Sequence, residues 1–510
     1  MSAAWGVTAI ALVSVATLVL GIFGLRVART TSDFFVASRS VGPRLNASAI
    51  GGEYLSAASF LGVAGLVLAF GADMLWYPVG WTAGYLVLLV LVAAQLRRSG
   101  AYTLPDFAEA RLGSRRLRTV SSLLVVAIGW LYLMPQFQGA GLSLGTITGA
   151  RPWVGGVVVA VVVLVSVLAG GMRSITLVQA FQYWLKLTAL LVPVFFMLQV
   201  WLGDGGVSPA TESVTAGGTP GDVWAAPLAS TSAHPLYSTY SLIVATFLGT
   251  MGLPHVVVRF YTNPDGRAAR RTTLAVLALL GVFYVLPPVY GALGRLYAPD
   301  LIASGRADTV VLELPARMIG GLGGELLSAL TTAGAFAAFL STSSGLTIAV
   351  AGVVSQDVVS RWLRPITAFR VSAVIAVVVP LGLALAAPGV SIARSVGLVF
   401  AVAASTFCPL LVLGIWWRRL TDVGAMAGFV VGGTCSVAAV TDAFVGTHSP
   451  GWVADLLGQP AAWTVPLAFL TMIGVSLLTP HRVPSHVARF MVRLHTPEAV
   501  VLDRGRPARN

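Results

Sequence analysis

The sequence predicts an all-α polytopic membrane protein with about 13 transmembrane helices, and three observations carry that reading. Apolar residues make up 56% of the 510 positions and charged residues only 10%, against roughly 25% charged in a soluble domain. The apolar residues fall into stretches of about 20, the length that crosses the hydrocarbon of a bilayer. The basic residues gather on alternate connections between those stretches, as expected when one side faces the cytoplasm.

Thirteen candidate segments begin near residues 5, 47, 74, 121, 152, 175, 237, 272, 324, 366, 390, 422 and 461. The first follows MSAAW, which has no basic n-region and no clear small-x-small cleavage site, so it reads as a retained helix. With the N-terminus outside and the C-terminus inside, the inward connections and the tail hold 26 of the 32 basic residues; the outward loops hold Arg151, Arg295, Arg306 and Arg317. The long outer connection at 202–236 is rich in Gly, Ser, Thr and Pro and reads as a flexible loop. The tail 481–510 carries HRVPSHVARFMVRLH and reads as a solvated or membrane-surface basic segment. A net charge of +13, placed on one face of a membrane protein, does not point to nucleic acid. The cysteines, Cys408 and Cys435, form neither a disulfide framework nor a metal set. Zincin, serine-elbow and phosphate-loop motifs are absent, so no enzyme and no cofactor is expected.

Polar residues interrupt three apolar stretches. In AIGGEYLSAASFLG, residues 49–62, Gly51 and Gly52 weaken the helix and expose carbonyls near Gly52 and Leu55, with Ser56 and Ser59 beside the break. Close helix packing through small residues accounts equally well for the spacing. Glu53 favours a functional site, because a carboxylate at membrane depth is expensive; a structural ion pair is the competing account. In FLSTSSGLT, residues 339–347, Ser341, Thr342 and Ser344 supply hydroxyls, and Ala338 lies one turn before Ser341. Back-bonding to the carbonyl at i−4 is the ordinary use of such hydroxyls. In GTMGLPHVVVRFYT, residues 249–262, Gly249, Gly252 and Pro254 break a helix, and His255 follows. Lys186, the only lysine, falls near the middle of its segment, where it must pair, for instance with Glu53, or give up its proton. Arg394 can snorkel outward and is given no role.

At these residues the chain resembles the sodium:solute symporter family, and within it the acetate and monocarboxylate permeases. The resemblance rests on DFFVASR (33–39), AIGGEYLSAASFLG, YTLPDFAEARL (102–112), AGGMRSIT (169–176), GTMGLPHVVVRFYT with the following ARR, and STSSGLT through SQD (355–357). It implies a LeuT-like core of two inverted five-helix repeats, about 47–201 and 237–415. Flanking helices are then expected at about 5–25, 422–443 and 461–480, all within one transmembrane domain, 1–480. It further implies Na⁺ as the coupling ion, bound by the carbonyls of Gly52, Leu55 and Ala338 and the hydroxyls of Ser341 and Thr342. Ser56, Ser59, Gly252 and His255 become candidate solute contacts. Sugar and proline members carry an Asp where this chain has Gln179, which puts a second sodium site in doubt. Glu53, Lys186 and Gln179 are therefore candidate coupling residues. The expected activity is inward symport of a small monocarboxylate such as acetate, propionate or pyruvate with Na⁺ across the cell membrane by alternating access. Proton coupling through Lys186, His255 or Glu53 and a different small solute are the alternatives.

Overall fold

A computed structural model of the chain describes residues 3–23, 41–210, 220–226, 233–386, 391–445 and 451–498. The DFFVASR motif and Arg26, Arg29 and Arg39 lie outside the described residues. Helix dominates from end to end, as hydrogen-bond satisfaction in lipid requires of an open chain. In order, the main elements are α1 (Ala3–Phe23), α2 (Pro43–Tyr54), α3 (Ala58–Phe70), α4 (Ala72–Ser99), α5 (Leu104–Leu112), α6 (Arg115–Thr148) and α7 (Pro152–Gly203). There follow α8 (Pro235–Gly252), α9 (Pro254–Phe260), α10 (Gly266–Tyr297), α11 (Val310–Ile319), α12 (Gly321–Asp357), α13 (Pro365–Ala386), α14 (Ile392–Trp416), α15 (Asp422–Val445), α16 (Ala461–Leu478) and α17 (Val487–His495).

Ten helices among the described residues are long and apolar enough to cross a bilayer, and two bent pairs, α2/α3 and α8/α9, bring the number to twelve. One of the ten, α7, has 52 residues and would be about 78 Å long if straight, more than twice the roughly 30 Å of hydrocarbon. It turns at Gly171, whose φ of 57° and ψ of −157° suit a residue without Cβ. The segments read from sequence near 152 and 175 are the two arms of this element.

The centre of the bundle is α12, whose apolar stretch is buried on every side. Its run GAFAAFLSTSSGLTIAVAG is mostly small residues, and small residues let neighbouring helices come close. Helix α7 packs along it most extensively, followed by α6, α13, α11 and α1, with α2 and α9 also against it.

Both bent pairs are interrupted where the sequence suggested. Between α2 and α3 the chain bends by 71° at Leu55 (φ −74°, ψ 85°) and resumes in a π-helical turn, Ala58–Gly62. Between α8 and α9 it bends by 47° at Leu253 (φ −77°, ψ 120°). The residue before a proline is pushed out of the helical region, and Pro254 then starts α9 at a position where its missing N–H is not needed.

Two peripheral segments pack on the core. In the outer connection, Trp224 donates its indole N–H to Val67 O at 2.8 Å and packs over Gly71. The tail contains α17, whose Val487, Phe490, Met491 and Leu494 are buried. Phe490 packs on Phe107 of α5 (6.2 Å between rings), and Arg98 donates to Leu494 O at 3.3 Å. Its apolar stripe covers protein instead of lying free in water or lipid.

Candidate functional site

The interruption of α2/α3 lies against α12, α7 and α6. At the bend, the N–H of Ala57 is satisfied from outside its own helix by Gln136 Oε1 of α6 at 3.0 Å. The carbonyls of Gly52 and Leu55 accept hydrogen bonds from Lys186 Nζ of α7, the latter at 2.7 Å. Ser341 Oγ of α12 is the third acceptor of the same ammonium, also at 2.7 Å. Ser341 Oγ in turn donates to Ala338 O at 3.1 Å, and Thr342 Oγ1 donates to Glu53 O at 2.6 Å. Of the five groups that the resemblance implied for Na⁺, Gly52 O, Leu55 O and Ser341 Oγ converge on Lys186 Nζ, Ala338 O joins them through Ser341, and Thr342 Oγ1 is committed to Glu53 O. Lys186 does not pair with Glu53.

Glu53 belongs to a second cluster. Its carboxylate accepts from Arg259 Nε of α9 at 2.6 Å, with both side chains almost fully buried. Arg259 spends its other nitrogens on Thr176 Oγ1 (2.8 Å) and Gln179 Oε1, both on α7. Gln179 Nε2 donates to Ser341 O at 2.8 Å, so one amide links the ion pair to the polar stretch of α12. Gly345 of α12 makes room for the carboxylate, since a Cβ there would fall 2.0 Å from Glu53 Oε1.

The glycines at the breaks serve close approach. A Cβ on Gly52 would lie 2.0 Å from Gln179 O, and one on Gly252 would lie 2.4 Å from Ala403 O. Gly252 therefore seats α8 on α14, and its α-carbon faces that helix. Ser56 Oγ is reached by Tyr132 OH at 3.5 Å, and Ser59 Oγ shares a hydrogen bond with Tyr284 OH at 2.8 Å. His255 is fully buried beside Tyr132, with 5.1 Å between rings, and neither ring nitrogen has a hydrogen-bond partner among the described residues. Ser344 back-bonds to Leu340 O at 2.7 Å.

Aromatic rings wall the space between the breaks. Phe400 of α14 is within 5.7 to 6.4 Å of Trp81, Tyr132 and Tyr54, and Tyr54 meets Tyr85 edge-on at 4.8 Å. The Trp81 N–H, Tyr85 OH and Glu53 Oε1 are buried without partners among the described residues. Glu53, Tyr54, Tyr85, His255 and Arg259 line a narrow, tightly closed crevice.

Arg259, Gln136, Trp81 and Tyr85 were not singled out from sequence. Arg259 was counted with the cytoplasmic arginines because it ends an apolar run. A signal was available: Glu53 at membrane depth requires a cationic partner, and the arginine in VVVRFY is flanked by apolar residues on both sides.

The model of the sodium:solute symporter family matches residues 34–432. An uncharacterized symporter, YwcA, of Bacillus subtilis is 30% identical over 503 residues, covering 94% of this chain and 96% of that protein. A protein described as a monocarboxylic acid transporter of Corynebacterium glutamicum is 31% identical over 506 residues, covering 92% and 91%. Among solved structures, a Na⁺-coupled sialic acid symporter in a substrate-bound outward-open state superposes with a TM-score of 0.69 at 14% identity, over 93% of this chain and 98% of that one. MhsT in complex with L-phenylalanine gives 0.53 at 16% identity, over 86% and 98%. At these identities the two structures speak for the LeuT-like fold alone.

Proposed function

Because the chain belongs to the sodium:solute symporter family, we propose that it is a secondary active symporter that takes up a small monocarboxylate, such as acetate, propionate or pyruvate, together with a monovalent cation. The observation that carries this reading is the charge of the core. Around the two breaks stand Lys186 and Arg259 against the single carboxylate of Glu53, an excess of one positive charge when Lys186 is protonated. Unpaired charge is costly at this depth, and one bound carboxylate would cancel it. The buried, unpartnered Trp81, Tyr85 and His255 supply polar contacts, and aromatic rings wall the region beside them. The description of the Corynebacterium relative points the same way.

In this reading α2/α3 and α8/α9 open the two inverted repeats, about 47–201 and 237–415, with the N-terminus outside. Solute lies between the breaks, near Ser56, Ser59 and His255. A cation in the oxygen cage of Gly52, Leu55, Ala338, Ser341 and Thr342 ties the first repeat to α12, and its release loosens that tie. Occupancy of the cage thereby biases the rocking of the repeats. The family supplies Na⁺ as the ordinary occupant.

The test is uptake of labelled pyruvate by the purified full chain in liposomes against a panel of unlabelled competitors. Acetate, propionate and lactate should compete, while sugars, neutral amino acids and dicarboxylates should not. Competition by any of the latter at concentrations where acetate is silent overturns the solute class.

A further inference from the structure

Helix α17 grips the ends of several spans, and those contacts extend the symporter reading above, on which this step rests. In that reading the ends of α4, α9, α12 and α14 and the starts of α2, α6 and α10 form the inner face, the side that must part to release solute. We propose that α17 is a clasp across this face: docked, it holds the inner mouth closed and slows the inward-opening step of transport.

On one side the clasp is seated on α5. Phe490 meets Phe107 with 6.2 Å between rings, and His486 Nε2 donates to Ala110 O at 3.0 Å. Helix α5 is itself fixed to the helices behind it. Arg111, fully buried, donates to Gly414 O at 2.7 Å and to Trp417 O at 2.9 Å, at the end of α14. Asp106 and Glu109 share Arg118 of α6 with Asp357, the last residue of α12. His495 of α17 adds a ring contact to Trp416 of α14 at 4.9 Å.

On the other side the segment after α17 reaches the ends of α4 and α10. Glu498 Oε1 accepts from the N–H of Gly266, the first residue of α10, at 2.8 Å and from Arg98 Nε of α4 at 3.4 Å. A carboxylate is favoured there by the open N–H groups of the helix start. Arg97, next to Arg98, donates to Asn263 O and Pro264 O in the short connection from α9 to α10, so α4 is laced to the α9–α10 corner. Helix α2 packs on α10. The clasp therefore joins two units, α2–α4–α9–α10 and α5–α6–α12–α14.

The seam between these units is the one that an inward opening must part. Helices α2 and α9, the inner arms of the two bent pairs, both pack against α12, and a path from the breaks to the inner face requires them to leave it. The covalent joint between the units turns at Gly100 (φ 78°), and Arg493 of α17 lies over it: a Cβ on Gly100 would fall 2.4 Å from Arg493 Nη2. The hold is reversible in kind. Its ion pair is partly exposed, at 12% and 42%, and such pairs contribute little; the apolar stripe of Val487, Phe490, Met491 and Leu494 carries most of it. A nine-residue helix held this way can leave its seat without unfolding the core.

The test uses the full chain with Phe490→Asp, which unseats the stripe, and Glu498→Ala, which releases Gly266 N and Arg98 but leaves the stripe in place. Hydrogen–deuterium exchange in lipid nanodiscs reads the opening without any solute. In Phe490→Asp the amides of the inner arms Pro43–Tyr54 and Pro254–Phe260 should exchange about tenfold faster, the lower end of what burial of one phenylalanine is worth. Those of the outer arms Val63–Phe70 and Pro235–Gly249 should keep wild-type rates. Glu498→Ala should show the same pattern to a smaller extent, and it decides the matter if Phe490→Asp does not fold. Equal acceleration of inner and outer arms marks general loosening and overturns the clasp, as do wild-type rates in both. Pyruvate counterflow in liposomes then reads the brake. Its absence in the wild type would sink the solute reading while exchange still decides the clasp. Given counterflow, both variants should raise its initial rate, Phe490→Asp by several-fold; a rate at or below wild type in a variant whose inner arms open overturns the brake.

Discussion

Neutralising Glu53 should destabilise the protein more than almost any other single polar change, because it strands Arg259. The two charges are 2.6 Å apart with side-chain exposures of 3% and 1%. At an effective dielectric of about 20, Coulomb attraction at that distance is about 6 kcal/mol, and desolvation of the two ions cancels much of it. The net value of the pair is therefore small, but the cost of breaking it is not: an uncompensated buried charge costs about 3–5 kcal/mol. Glu53→Gln and Arg259→Met should each lower the thermal midpoint in detergent micelles by several degrees. The double variant should lose clearly less than the two losses combined, since no charge is then left alone. Single variants that melt within a degree of wild type, or a double variant whose loss equals the combined loss, would refute the claim that the two side chains stabilise each other.

Two further outcomes are expected. Gln136→Leu removes the acceptor of the Ala57 N–H at the bend and should cost about 1–3 kcal/mol for a buried unsatisfied donor, read in the same melting assay; an unchanged midpoint would contradict it. Asp308, which lies between α10 and α11 outside the spans and presses on Gly65, has its carboxyl pushed up from 3.8 to about 6, chiefly by burial and in spite of a hydrogen bond from the Ile392 backbone. A raised carboxyl favours the folded state fully at pH below about 4 and loses that advantage as pH rises through about 6, so stability relative to Asp308→Asn should fall by on the order of 2 kcal/mol between pH 4 and 7. Parallel curves for the two proteins across that range would contradict it.

The spans and both breaks were legible because they are local. A run of 20 apolar residues, a Gly-Gly-Glu within one, and a proline preceded by two glycines leave marks within a few positions. The turn within α7 was less so, since only the non-helical backbone of Gly171 separates the two arms that the sequence places near 152 and 175. The site was half legible. Gly52, Leu55 and Ser341 were named from their helices and do meet at Lys186, with Thr342 one residue along on Glu53 O; an ion pair for Glu53 was among the readings, but its partner is Arg259 and not Lys186. Glu53 took an arginine 206 positions away, and Lys186 took carbonyls more than 130 positions away. Nothing in the spacing of a sequence ranks two cations that compete for one carboxylate. Planar guanidinium, with donors for Glu53, Thr176 and Gln179 at once, fills a site with several acceptors better than an ammonium does. The compact ammonium suits the convergent carbonyls of a broken helix.

The departure at Gln179 fits the same electrostatics. Its amide accepts from Arg259 and donates to Ser341 O, which a carboxylate could not do, having no proton to give. An Asp in this place, as the resemblance implies for the sugar and proline branches from which this chain departs, would turn away from the α12 carbonyl and add a second negative charge beside Glu53. A core so charged has use for an additional metal cation. With Gln179 the pair Glu53–Arg259 keeps its balance and is joined to α12 through Ser341 O, while Lys186 lies two turns along the same face of α7 and turns to the carbonyls of the bend.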